Sequence, residues 1–97
     1  MIRHVVLFTW KPEATEEQKR ALHEELAKMP PAIEAIRVYR FGPDCGVNPG
    51  NFDYAVVADF DDQAGYLTYR DHPVHRELVE RYVNPIVARR DAVQFEA

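Results

Sequence analysis

The chain has 97 residues, with 46% hydrophobic residues and a net charge of −4 from 12 basic and 16 acidic side chains. This length predicts a single domain over residues 1–97 with a modest core, and the composition is that of an ordinary soluble globule. The acidic balance disfavours nucleic acid as a partner, since nucleic acid requires a concentrated basic surface. No apolar run approaches the roughly 20 residues that cross a bilayer, so no membrane partner is expected.

The first residues and the single cysteine bear on the cellular compartment. The chain enters a strand-like segment directly, without the architecture of a signal peptide. Because Cys45 is the only cysteine, the chain can form neither an intrachain disulfide nor a cysteine-rich zinc site. We expect Cys45 to be an ordinary loop thiol. A cytoplasmic location is therefore expected.

A first strand is predicted over residues 2–10, which are rich in β-branched and aromatic side chains. Alternation along it places His4, Val6, Phe8 and Trp10 on one face and Arg3, Val5, Leu7 and Thr9 on the other. Both faces are largely apolar, which indicates that the strand is covered on both sides.

A helix is predicted to follow this strand. Thr15 and Gln18 have the spacing of a capping box, in which a hydroxyl and a side chain three residues later satisfy free amides. Leu22 and Leu26 continue at helical spacing, and Pro30-Pro31 is predicted to end the helix.

The rest of the chain contains three further strands and one interrupted helix. The predicted strands cover residues 36–41, 52–60 and 88–95, with a turn-rich loop over 44–51. Asp61 or Asp62 is predicted to cap the second helix, which Asn84-Pro85 ends. The order βαββαβ predicts an α+β, ferredoxin-like fold: a four-stranded antiparallel sheet with both helices on one face.

Pro73 is predicted to interrupt the second helix in the segment between Tyr69 and His75. Proline disfavours α-helical geometry at the preceding residue and suits the first position of a helix. On an unbroken helix Tyr69 and His75 would lie roughly 240° apart at about 100° per residue. A break resets the helical phase, so we expect the phenol and the imidazole to face one cleft as an acid–base pair.

The sheet face opposite the helices is predicted to be bare in a monomer. Its apolar side chains include Val5, Leu7 and Val57, which form too large a patch to remain in water. The sequence therefore predicts a homodimer that stacks these sheet faces into a dimeric α/β-barrel.

Three segments carry a family resemblance: residues 2–8 (Ile-Arg-His-Val-Val-Leu-Phe), 48–54 (Asn-Pro-Gly-Asn-Phe-Asp-Tyr) and 72–75 (His-Pro-Val-His). Over nearly its whole length the chain resembles the stress-responsive dimeric α/β-barrel (Dabb) domains. The resemblance implies a ferredoxin-like protomer that forms a barrel with a second copy. That family includes the plant olivetolic acid cyclase, which folds a linear polyketide thioester into an aromatic acid.

The resemblance to the cyclase extends to three side chains. Its tyrosine and histidine correspond to Tyr69 and His75, and another histidine of its pocket corresponds to His4. The chains differ at Val56, where the cyclase has a further histidine. They also differ in the first helix, which is less aromatic here.

These residues predict a small-molecule site between the sheet and the helices. The predicted catalytic residues are His75, Tyr69 and His4. His75 would act as general base, and Tyr69 would donate a proton to an enolate or polarise a carbonyl, with His4 lining the same pocket. The expected apolar walls are Val6, Phe8, Leu26, Val38 and Val56. The ligand would be a small carbonyl, polyketide-like or aromatic compound, and the reaction an acid–base cyclisation or isomerisation without a cofactor.

Other interpretations of the same residues remain open. The three side chains can be structural: His75 bracing its helix, Tyr69 a satisfied edge aromatic and His4 a hydrogen-bonded core histidine. The protein would then be a non-catalytic, stress-responsive dimer or larger assembly. Oxygen-using quinone chemistry is an analogy of fold alone.

Metal binding is the less favoured interpretation of two further patterns. His72 and His75 form an H-x-x-H pair, but no third strong ligand is evident and His72 is expected to cap a helix. Asp59, Asp61 and Asp62 form an acidic group that a strand end and a helix cap explain more simply. No metal is predicted.

Overall fold

Four antiparallel strands form one sheet in the computed structural model, which describes residues 1–97. The strands are β1 (Ile2–Trp10), β2 (Val38–Pro43), β3 (Tyr54–Phe60) and β4 (Val87–Glu96). Their order across the sheet is β2-β3-β1-β4, and every neighbouring pair is antiparallel. This arrangement confirms the predicted ferredoxin-like topology.

Helical segments follow β1 and β3 in the chain. They are α1 (Glu16–Leu26), α2 (Met29–Ala32), α3 (Gln63–Asp71), α4 (Pro73–Leu78) and a π-helical turn (Val79–Val83). None of these helices is long and apolar enough to cross a membrane.

The start of α1 is set by the predicted capping box. The Thr15 hydroxyl accepts a hydrogen bond from the Gln18 amide at 3.1 Å, and the Gln18 side chain accepts one from the Thr15 amide at 2.9 Å. The predicted end of this helix is wrong, because α1 stops at Leu26 and Pro30-Pro31 lies inside α2. Proline is compatible with the first turn of a helix, where its missing amide would have had no partner.

The strand register separates a covered sheet face from a bare one. His4 pairs with Ala58 and Val6 with Val56, and all four are buried beneath the helices. Core side chains from the helices and the following turn pack against this face. The largest fully buried side chains outside the sheet are Leu22, Leu26, Ile33, Val83 and Ile86, and those of β3 are Val56 and Phe60.

The predicted second strand is displaced by two residues. The Ile36 amide bonds to the Ile33 carbonyl in a turn, and β2 starts only at Val38. Val38 pairs with Asp59, so its side chain lies on the sheet face away from the helices. The strands after it agree more closely, with β3 starting two residues late and β4 one residue longer at each end.

The sheet face away from the helices is here called the open face. Its central side chains, Val5, Leu7 and Val57, are half-buried, and Val93 and Phe95 of β4 remain 54% and 45% exposed. The single buried charge on it, Asp59, is held by two hydrogen bonds of 2.8 Å from Arg3. The open face thus has an apolar centre and a neutralised Asp59, and it also carries the charges of Arg40, Arg89 and Asp91.

Candidate functional site

A cavity of about 560 Å³ lies between the covered face of the sheet and the segment from α3 to the π-helical turn. Its walls are mainly apolar and its rim carries charge. The lining residues are His4, Val6, Phe8, Leu26, Val56, Tyr66, Tyr69, Arg70, His75, Arg76, Leu78, Val79, Glu80, Val83, Asn84, Arg90 and Ala92.

Seven of the eight residues proposed from the sequence lie together in this cavity. The exception is Val38, which the register places on the open face, where it is 37% exposed. The expectation that Val38 forms a wall of the cavity is therefore wrong. Because side chains alternate along a strand, a residue's face is fixed only once its partner is known.

The helix break brings the tyrosine and one histidine together, as predicted. Helix α3 ends at Asp71, His72 is extended with φ −62° and ψ 134°, and α4 starts at Pro73. The His72 Nδ1 atom accepts a hydrogen bond from the Val74 amide at 3.1 Å, which caps α4. Across this break the ring centroids of Tyr69 and His75 are 4.1 Å apart.

His75 is held as a neutral base. Its Nδ1 atom lies 3.1 Å from the Arg70 carbonyl oxygen, which can only accept, so Nδ1 carries the proton and Nε2 is the basic nitrogen. Burial lowers the pKa of His75, and the nearby positive charge of Arg90 lowers it further, although the bond to Arg70 opposes this. The unprotonated form is therefore favoured near neutral pH.

Tyr69 is a buried phenol that keeps its proton. It is 3% exposed, and burial raises its pKa to about 12. Its hydroxyl lies 2.8 Å from the Tyr39 hydroxyl. Burial raises the pKa of Tyr39 still further, whereas the bond from Tyr39 lowers that of Tyr69. Either hydroxyl can donate within this pair, and when Tyr39 donates, the Tyr69 proton is free for another acceptor.

Tyr39 is a residue of the site that was not predicted from the sequence. Its position on β2 opposite Ala58 puts it on the covered face with Phe41. The alternation of Tyr39 and Phe41 was the available signal, but it could be assigned to a face only with the strand register.

His4 carries its proton on the opposite ring nitrogen from His75. The Gln94 side-chain amide donates to His4 Nδ1 at 2.8 Å, so Nε2 of His4 carries the proton. Burial, assisted by the nearby His75, lowers the pKa of His4 to about 4 and keeps the ring neutral. The ring lies 5.0 Å from that of Tyr66 and 6.2 Å from that of Tyr69.

The charged rim of the cavity was also not anticipated. Arg70, Arg76 and Glu80 extend from the helical wall, and Arg90 extends from β4 opposite Phe8. Arginine is usually a solvated surface residue, so the sequence positions of these arginines do not indicate a place at the cavity until the topology is known.

The residues weighed for metal binding are engaged in other contacts. His72 caps α4, Asp59 binds Arg3, and Asp61 binds Arg37 at 2.9 Å and 3.1 Å. Asp62 caps α3 by accepting from the Gly65 amide at 2.9 Å. No group of three histidine, cysteine, aspartate or glutamate residues is close enough to hold a metal ion, and Cys45 is exposed.

Comparison with known proteins identifies a family and a shared fold. The family model described as "Stress responsive A/B Barrel Domain" matches residues 2–97. A dimeric ferredoxin-like protein of Thermobifida fusca is 43% identical, with 99% of this chain and 90% of that one covered and a TM-score of 0.92. Comparison with curated protein sequences gives no match.

Two more distant structures have the same architecture. A Dabb family protein of Mesorhizobium loti is 25% identical, with a TM-score of 0.83 over 99% of this chain and 95% of that one. The hydroxynitrile lyase of Passiflora edulis is 16% identical, with a TM-score of 0.84 over 97% of this chain and 90% of that one. At 16% identity the likeness concerns the fold alone.

Proposed function

Because the chain belongs to the stress responsive A/B barrel family, we propose that it is a homodimer with a small-molecule site in each protomer. The site binds a small carbonyl, polyketide-like or aromatic compound and transfers protons in a cofactor-free cyclisation or isomerisation. The observation that carries this proposal is the 4.1 Å approach of Tyr69 and His75 in a largely apolar cavity.

Proton transfer follows from the protonation states of the two side chains. His75 Nε2 removes a proton from the carbon α to a carbonyl, and the electron pair of the C–H bond moves into the enolate. The Tyr69 hydroxyl donates a hydrogen bond to the developing oxygen, where charge is most costly in an apolar site. Return of the proton to another carbon gives isomerisation. Attack of the enolate carbon on a second carbonyl gives an aldol-type ring closure, in which the proton held by His75 passes to the new alkoxide.

His4 and Tyr39 support this pair from two sides. The Tyr39 hydroxyl lies 2.8 Å from that of Tyr69, so it can donate to Tyr69 and stabilise negative charge near the reacting oxygen. His4 presents Nε2–H within the same cavity as a second neutral donor. Enzymatic activity on this fold has a precedent in the hydroxynitrile lyase of Passiflora edulis.

Dimerisation through the open face is the second part of the proposal. Relatives from Thermobifida fusca and Bacteroides fragilis are described as dimeric. The open face offers Val5, Leu7 and Val57 beside the exposed Val93 and Phe95, and a second copy would remove these side chains from water.

Deuterium exchange into a simple ketone tests the proton transfer without knowledge of the substrate. The wild-type protein is incubated with acetophenone in D2O, and loss of the methyl signal is followed by proton NMR. We expect His75→Ala and Tyr69→Phe each to slow catalysed exchange by about 10²–10⁴-fold, with the double variant no worse than the more damaging single one.

Two other histidine variants serve as controls. His23 contacts the Tyr54 hydroxyl at 2.6 Å outside the cavity, so His23→Ala should leave exchange unchanged. His72 caps α4, so His72→Ala should lower exchange far less than His75→Ala. Cyclic β-polyketone or phenolic probes should also shift the NMR resonances of His75 and Tyr69 before those of Asp61 and Asp71. Absence of both exchange and binding would instead support a non-catalytic, stress-responsive assembly.

A further inference from the structure

The charge at the mouth of the cavity is opposite to the charge of the chain as a whole. The chain carries a net charge of −4. The charged residues that line the cavity are nevertheless three arginines, Arg70, Arg76 and Arg90, against one carboxylate, Glu80. A concave, low-dielectric surface concentrates such a field and attracts ions of opposite sign.

Two of these arginines have no partner within the protein. Arg70 is held by Asp71, through hydrogen bonds of 2.9 Å and 3.1 Å. Arg76 and Arg90 form no side-chain hydrogen bond or ion pair, and Glu80 pairs with neither of them. Their neighbours do pair, since Arg89 binds Asp91 and Arg81 binds Glu77.

The two free guanidinium groups come from opposite walls of the cavity. Arg76 follows His75 on α4, whereas Arg90 lies on β4 opposite Phe8. The charge of Arg90 depresses the pKa of His75, so this arginine acts electrostatically on the proposed base. A ligand between the walls would therefore meet positive charge from both sides.

We propose that the ligand is a carbonyl compound that also carries a carboxylate, with the carboxylate bound by Arg76 and Arg90 at the mouth of the cavity. This inference rests on the proposed function, which places the carbonyl group at Tyr69 and His75. A guanidinium group matches a carboxylate in geometry and donates two parallel hydrogen bonds to it. The apolar walls would hold the part of the ligand between the two groups.

A matched pair of probes isolates the contribution of the carboxylate. 4-Acetylbenzoate and 4-acetylbenzamide have nearly the same shape and the same ketone, but only the benzoate is anionic. Titration followed by NMR at the His75 resonances gives both dissociation constants. We expect the benzoate to bind about tenfold more tightly at low ionic strength and to lose this advantage in high salt.

Arginine variants assign the effect to the two side chains. Arg76→Gln and Arg90→Gln should each weaken benzoate binding about three- to fivefold and leave benzamide binding unchanged. Arg76→Lys should restore part of the loss. Glu80→Gln should tighten benzoate binding, because it removes the only carboxylate at the mouth. Arg20→Gln, which removes an unpaired arginine of α1, is the control for total charge and should have no effect.

The outcomes separate this inference from the proposed function. Equal binding of both probes at His75, insensitive to Arg76 and Arg90, overturns the carboxylate assignment and leaves the proton-transfer site intact. Tighter binding of 4-acetylphenyl phosphate than of the benzoate also overturns it, in favour of a phosphate group. Failure of every probe to shift the His75 and Tyr69 resonances overturns both proposals.

Discussion

His4 and His75 lie in the same cavity but carry their protons on opposite ring nitrogens. The Gln94 amide donates to Nδ1 of His4, whereas the Arg70 carbonyl accepts from Nδ1 of His75. Each tautomer is set by the atom that faces Nδ1, which is a donating amide nitrogen at His4 and an accepting carbonyl oxygen at His75. The result is one donor nitrogen and one acceptor nitrogen free to meet a ligand.

The pH dependence of proton transfer should reflect the position of His75. In the proposed mechanism its neutral form is the active one, and burial lowers its pKa below the ordinary value of about 6.5. The exchange rate of acetophenone should therefore rise with pH along a limb whose midpoint lies below 6.5. Arg90→Gln should move this midpoint upward, since it removes a positive charge that opposes protonation. A midpoint that is unaffected by His75→Gln would assign the limb to another group.

His4 should make the fold less stable in mild acid. Its pKa is about 4 in the folded protein against about 6.5 in the unfolded chain, so the unfolded state takes up the proton first as pH falls. The contribution is complete above pH 6.5 and is lost between pH 6.5 and 4, at up to about 1.4 kcal/mol per pH unit. Urea denaturation at several pH values across this range should show a weaker pH dependence of the free energy of unfolding for His4→Gln than for the wild-type protein.

The Tyr39–Tyr69 pair should show strong coupling. Removal of one hydroxyl leaves the other without its partner, so Tyr39→Phe and Tyr69→Phe should each lower the free energy of unfolding by about 1–2 kcal/mol. The double variant should lose less than the sum, because it leaves no orphaned hydroxyl. Simple additivity in urea denaturation would show that the two hydroxyl groups do not depend on each other.

Among the helices, the break at Pro73 is what brings the rings of Tyr69 and His75 together in one cavity. Pro73→Ala permits helical geometry at His72 and should rephase Tyr69 relative to His75. The free energy of unfolding should change by less than about 1 kcal/mol, whereas ligand binding at His75 should be lost. Pro85→Ala, beyond the end of the helix, is the matched control for both measurements. Undiminished binding by Pro73→Ala would refute the argument that the break brings the two rings together.

The sequence predicted those elements whose signals are local. Residues only a few positions apart determine the Thr15 cap and the Pro73 break. The alternation of β1 is likewise visible within a single segment of the chain. The predicted start of β2 is wrong because Ile36, although its side chain favours strands, is held in a turn by a hydrogen bond from its amide to the Ile33 carbonyl.

The parts of the site that the sequence did not reveal depend on pairing between distant segments. Tyr39 reaches Tyr69, and Arg90 reaches the mouth beside Arg76, only after β2 and β4 have joined the sheet. Val38 was misplaced for the same reason, since its face depends on its register against Asp59. The residue types alone do not indicate these contacts, which depend on how the strands pair.

For the molecule as a whole, a charge in the centre of the open face should separate the protomers. Val57 lies there between Val5 of β1 and Arg40 of β2, so Val57→Glu would bury a carboxylate and the arginine beside it in the proposed interface, where removing charge from water is costly. Light scattering at micromolar concentration should give a dimer for the wild-type protein and a monomer or unfolded chain for Val57→Glu. Val47→Glu, which makes the same change at a loop position that is 75% exposed, should remain a dimer. A monodisperse wild-type monomer would contradict the barrel assembly.

The alternation of β1 has a consequence for how this chain can evolve. His4, Val6 and Phe8 face the cavity, whereas Val5 and Leu7 face the proposed partner. Selection for ligand binding therefore acts on one set of alternate residues, and selection for dimerisation acts on the other. Point substitutions can therefore alter ligand preference or subunit pairing independently. An insertion or deletion of one residue within the strand would exchange the two sets at once. We expect length variation among descendants of this gene to accumulate in the loop at residues 44–53, and the length of β1 to stay fixed.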